Sequence, residues 1–140
     1  GFDTDTWADR LEILKEVSCF QIYVTNNEIT SYEKDRKINF ITDIAKKINE
    51  TVNINQVDLK IPEKNVKTKF IDLLNSRMEE YSQLEYSEEP SYKARIILGN
   101  HLMIHMGDLD NNWIRMYVVD QEVPKILLSL RRPIKSLVNK

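Results

Sequence analysis

A chain of 140 residues with 41% hydrophobic, 30% charged and 9% aromatic residues is sized for one compact domain. Its three glycines and four prolines supply too few turns for a many-stranded β fold and argue against collagenous or low-complexity readings. Twenty Lys and Arg against 22 Asp and Glu leave a net charge of −2, which argues against nucleic-acid binding through the whole surface and leaves room for a local basic patch.

Gly1 reads as a tag remnant or the edge of an excised domain, so residues 2–140 are taken as a single helical domain. Thr6 with Asp9 resembles a capping box, and Trp7, Leu11, Leu14, Val17, Phe20 and Val24 repeat at helical steps, which predicts a first helix over roughly 6–25. Ile13, Ile22 and Tyr23 widen its apolar stripe, so it is expected at the centre of the fold, covered on more than one side. A second helix carries Ile38, Ile41, Ile44, Ile48 and Val52 on one face, with a mostly basic outer face. The stretch Thr51 to Ile61 contains Val57-Asp58-Leu59-Lys60-Ile61, an alternating pattern that fits a short extended segment, and Pro62 is placed to open a third helix.

That third helix is expected to run through Phe70, Leu73, Leu74, Met78 and Tyr81 to about residue 86. It begins basic and ends acidic, with Glu79, Glu80, Glu85, Glu88 and Glu89 against the macrodipole, so the acids either stay solvated or face a basic partner. After Ser87 to Pro90, Tyr92 through Met106 marks a fourth helix that is apolar on most sides and stops at Gly107. Asp108 or Asp110 caps a fifth through Trp113 and Val118, Pro124 kinks it or starts a sixth, and Pro133 ends the regular pattern. The fold class is therefore all-α, a bundle of about five helices with short connections. The alternative, in which 53–61 and 113–119 pair as strands, would make it α+β.

No window approaches the ~18 apolar residues of a membrane span, and no signal-peptide pattern is present. The lone Cys19 cannot form an internal disulfide, which fits a cytoplasmic chain, and its apolar neighbours Val17 and Phe20 favour a buried structural thiol over a catalytic one. The P-loop, G-x-G-x-x-G, H-E-x-x-H, G-x-S-x-G and C-x-x-C signatures are all missing. Asp108, Asp110 and Asn112 imitate half a calcium loop, but Trp113 stands where the loop needs glycine and Val119 where it needs glutamate.

The two histidines, His101 and His105, stand four apart, a spacing that puts both imidazoles on one helix face. Three readings follow. One histidine lines the core and the other lies at the surface; or both join Glu79, Glu80 or Asp108 around a metal; or a histidine moves a proton in metal-independent cleavage of RNA, where a nearby cation stabilises charge on phosphorus.

The run Leu98-Gly99-Asn100-His101-Leu102-Met103-Ile104-His105, with Asp108, Trp113, Asp120 and Val123-Pro124-Lys125-Ile126-Leu127 after it, resembles the C-terminal third of HEPN-superfamily domains, particularly HepT-like toxins. The resemblance spans residues 95–128 and implies an all-α bundle, often dimeric, and either a metal-independent RNase or a nonenzymatic module associated with RNA or nucleotides. Carried over, His105 matches the motif histidine, Asn100 stands where the family has arginine, and His101 where it has asparagine. Arg95 with His101 satisfies a looser spacing in a shifted frame. A guanidinium is not replaced by a carboxamide, so the departure bears on catalysis more than on fold.

Lys125, Arg131, Arg132 and Lys135 form the densest cationic stretch, with Glu122 as the nearby acid. It reads as a solvated helix end, or as a surface for RNA phosphates or for the acidic 79–89 cluster of a second copy. The reading that follows is a self-associating, noncatalytic interaction or regulatory module that binds a protein partner or a second copy of itself, with no cofactor. The competing reading is an RNase with His105 as general acid or base, Asn100 or His101 on the phosphate, and Arg95 or Arg115 as the cation.

Overall fold

A computed structural model describes residues 7–66, 68–106 and 116–138 as an all-α bundle of five helices. They are α1 (Trp7–Glu28), α2 (Lys34–Asp58), α3 (Phe70–Ser82), α4 (Tyr92–Met103) and α5 (Val123–Val138). A 3₁₀ turn at Glu63–Asn65 lies between α2 and α3, and a π-turn at Val118–Glu122 leads into α5. Among the described residues, the strand-like pairing is an isolated bridge between Tyr86 and Pro90. Residues 53–58 are helical and 116–119 run into the π-turn, so the strand pair does not form there.

The hub is α1, which packs against α2, α3, α4 and α5. On one side Ile13, Phe20, Tyr23 and Val24 join Tyr81, Leu98, Leu102, Val123 and Leu127. On another, Leu11, Cys19 and Ile22 join Val52, Phe70, Leu73 and Leu74. A helix with apolar residues in most directions must be enclosed to bury them, and the widened stripe anticipated this. Leu14 and Trp7, read as part of that stripe, are exposed.

Val57 and Asp58 finish α2, so the extended segment expected within Thr51–Ile61 is helix and turn. The helix closes with Lys60 N–H donating to the Val57 carbonyl and Ile61 N–H to the Gln56 carbonyl, each at 3.0 Å. This is a Schellman closure, in which Lys60 takes the left-handed conformation (φ 54°) that glycine usually fills. Buried Ile61 supplies the apolar anchor beyond it. Ile38, assigned to the buried face of α2, is about half exposed.

Pro62 caps the 3₁₀ turn instead of opening the third helix. That helix begins at Phe70, where Phe70, Leu73, Leu74 and Tyr81 first provide a continuous buried face, and it ends at Ser82 instead of near 86. Ser91 caps α4 by accepting from the Ala94 N–H at 3.3 Å. Ala94, Leu98 and Leu102 are buried while Tyr92, Lys93 and Asn100 are exposed, so α4 is covered on one face instead of all round. It stops at Met103, short of Gly107, in two tight turns: His105 N–H donates to Leu102 and Met106 N–H to Met103.

Asp108, Asp110 and Trp113, assigned to the start of a fifth helix, lie outside the described residues. Met116 and Tyr117 are helical and continue through the π-turn. Pro124 has no N–H to give to the carbonyl four residues back, and the π-turn spans that register. Pro133, expected to end the pattern, lies inside α5, because buried Ile134 holds the helix to the core past the missing bond. Among the described residues no helix is long and apolar enough to cross a membrane.

Candidate functional site

The residues singled out on α4 point to different neighbours. Arg95 and His101 are six apart, which separates them by about 240° around the helix. Arg95 Nη2 lies 3.2 Å from Glu89 Oε2 in the turn before α4. His101 Nε2 lies 2.8 Å from Glu80 Oε1 on α3. Asn100 is exposed. His105 follows the helix end in a turn and is only 7% exposed, so the shared face expected of the two histidines is interrupted where α4 stops. Arg115 and Asp108 lie outside the described residues. No group of three or more His, Cys, Asp or Glu side chains suited to a metal occurs among the described residues.

Two acids at and beyond the end of α3 find partners within the chain: Glu80 Oε1 meets His101 Nε2, and Glu89 pairs with Arg95. Glu79, Glu85 and Glu88 remain exposed. The turn between α3 and α4 forms a groove of about 660 Å³ whose lining includes Glu85, Tyr86, Ser87, Glu89, Tyr92 and Arg95.

The four cations of the C-terminal stretch divide in two. Arg131 turns back toward the bundle: its Nη2 donates to the Glu88 carbonyl at 2.7 Å and its Nε is 3.6 Å from Glu28 Oε1. The same Glu28 oxygen accepts from Tyr86 Oη at 2.7 Å, so one carboxylate ties α1, α5 and the turn before α4. Lys125, Arg132 and Lys135 are exposed and fall, with Leu128, at steps of three and four residues on one outward face. Lys125 lies 3.9 Å from Glu122, a distance at which a solvated pair contributes little. Leu128, at the middle of this face, is 72% exposed.

The reading of the sequence missed a buried charged strip on α1. Glu12, Lys15 and Glu16 are all buried. Lys15 Nζ donates to Glu12 Oε1 at 2.9 Å and to the Thr68 carbonyl. Arg77 donates to both carboxylate oxygens of Glu16, from Nε at 2.9 Å and Nη2 at 2.7 Å. Two acids and two bases cancel, as burial demands. Beside the strip, a cavity of about 550 Å³ opens between α1, α2 and the start of α3, lined in part by Lys15, Asn49, Asn53 and Phe70. The signal for the strip was present: on a helix whose apolar residues face most directions, a charged side chain has little solvent to reach.

Cys19 is fully buried, and burial pushes its thiol up to about 12, the environment of a structural thiol. No family model, curated protein or solved structure matches this chain.

Proposed function

We propose that this protein is a noncatalytic helical interaction module and that the outer face of α5 is its contact surface. The observation that carries this reading is the placement of Lys125, Arg132 and Lys135 around exposed Leu128, an apolar centre with a cationic rim and the general anatomy of a protein interface. Arg132 and Lys135 make no ion pair among the described residues, so their charge is available to an acidic partner. No aromatic side chain stands among them, which disfavours base stacking.

The catalytic alternative draws less support. Arg95 and His101 are each engaged by a separate carboxylate, and His105 is buried, whereas general acid–base chemistry needs the group within hydrogen-bond reach of substrate. The test is incubation of the protein with labelled single-stranded RNA in EDTA, beside His105→Ala checked for helicity by circular dichroism. Neither protein is expected to cut. Cleavage by the wild type that is lost in the folded variant would overturn the reading in favour of a metal-independent RNase.

A further inference from the structure

We infer that the partner of the α5 face is a second copy of this chain, and that α5 docks into the acidic, tyrosine-lined groove at the turn between α3 and α4. This rests on the reading of α5 as a contact surface and names what it binds.

The two surfaces are opposite in character. One carries Lys125, Arg132 and Lys135 around Leu128; the other is a groove lined by Glu85, Tyr86, Glu89, Tyr92 and Arg95, with exposed Glu88 in the same turn. A groove that pairs carboxylates with tyrosine rings suits a cationic side chain, which gains from the carboxylate and from the face of the ring together. Glu89 is already engaged by Arg95, which leaves Glu85 and Glu88 for the incoming charge. Tyr92 is 55% exposed, and its ring offers apolar surface of the kind Leu128 lacks within its own molecule.

The two surfaces also adjoin. Arg131, on the neighbouring face of α5, donates to the Glu88 carbonyl at 2.7 Å, so helix and turn lie side by side in one molecule. Complementary patches that sit next to each other satisfy a two-fold axis between them, since each copy then gives its helix and receives its partner's, and the contact closes as a dimer.

Sedimentation velocity tests this directly. The protein is expected to form a dimer at low salt, with a dissociation constant that rises about tenfold or more at high salt, as an exposed charge-paired contact requires. Lys125→Glu with Arg132→Glu, and separately Glu85→Lys with Glu88→Lys, should each give a monomer of unchanged helicity. Mixed together, the two variants should recover the dimer, because each carries the charges that the other's surfaces now need. A wild type that stays monomeric at about 200 µM in low salt, well above micromolar dissociation constants, would overturn the inference, as would a dimer that both charge reversals leave intact. A monomer whose α5 face instead binds a short RNA in a salt-dependent way would also overturn it, in favour of phosphate contacts. The RNA cleavage assay judges the noncatalytic reading separately, so a monomeric wild type that does not cut RNA removes the second copy and leaves that reading standing.

Discussion

Arg77 on α3 grips both carboxylate oxygens of Glu16 on α1, at 2.9 and 2.7 Å, while Glu16 itself is 2% exposed. The pair joins the hub helix to its neighbour at the border of the two apolar cores. A bidentate guanidinium satisfies both oxygens at once, and this lets a carboxylate remain charged where water is excluded. Arg77→Ala leaves that carboxylate buried and unpaired, and is expected to cost about 3 kcal/mol or more. Glu16→Leu with Arg77→Met removes both charges and should return to within about 1 kcal/mol of the wild type, since replacement by packed apolar groups is often neutral. Urea midpoints of the three variants measure this. Equal losses in the single and double variants would show that side-chain volume, and not the stranded charge, sets the cost.

Lys15 makes a second internal tie. Its ammonium reaches Glu12 at 2.9 Å and the carbonyl of Thr68 in the segment that enters α3. Thr68 lies outside the helices, so this bond anchors backbone that they do not. Lys15→Met is expected to destabilise the protein by about 3 kcal/mol through the stranded Glu12, and to speed amide exchange in the first turn of α3 beyond what the global loss explains. Exchange there that follows global stability alone would remove the anchoring role. Glu12→Gln in the Lys15→Met background should regain part of the stability, because a neutral amide is cheaper to bury than a carboxylate.

What the sequence discloses and what it hides follow one physical line. The central position of α1 was legible because its apolar residues exceed a single stripe, and the buried face of α3 because Phe70, Leu73, Leu74 and Tyr81 keep helical spacing. The end of α2 was not legible, because its left-handed closing residue is Lys60 where a glycine would have announced it. Pro133 misled because the local rule against proline inside a helix is outweighed here by the burial of Ile134. The histidine spacing assumed a helix through His105, and α4 ends at Met103. The split between Arg131 and Arg132 depends on where α5 meets Glu28 and Glu88, a tertiary fact that no spacing within the cationic run contains.

That split gives a prediction in which two neighbouring arginines behave oppositely. Arg131 joins a network with Glu28, Tyr86 and the Glu88 carbonyl, whereas Arg132 is exposed and makes none of these contacts. Arg131→Ala should lower the urea midpoint by an amount equivalent to about 1 kcal/mol, and Tyr86→Phe should do the same by stripping a bond from Glu28. Arg132→Ala should leave the midpoint within about 0.5 kcal/mol of the wild type, as surface substitutions usually do. Indistinguishable midpoints for the two arginine variants would dissolve the distinction between a tying residue and a presenting one.

The buried thiol and phenols set how the fold responds to alkali. Burial raises the Cys19 thiol from 9.0 to about 12. It also raises the hydroxyls of Tyr23, Tyr81 and Tyr86, with the bond to Glu28 adding to the shift at Tyr86. A group whose folded value is raised keeps its proton in the folded chain while the unfolded chain loses it. Above the unfolded value the unfolded state therefore binds fewer protons, and stability falls as pH rises. The contribution is intact below about pH 9 and declines from there toward 12 for the thiol, with the tyrosines adding to the loss above about 10. Urea midpoints should therefore be level near neutrality and drop through this window, and Cys19→Ala should flatten the first part of the drop. A thiol reagent at pH 8 should label Cys19 only as fast as the protein opens, because the folded thiol is neutral and enclosed. Rapid labelling under native conditions would mean that the path from solvent to the centre of α1 is open, and the assignment of Cys19 as a core residue would fail with it.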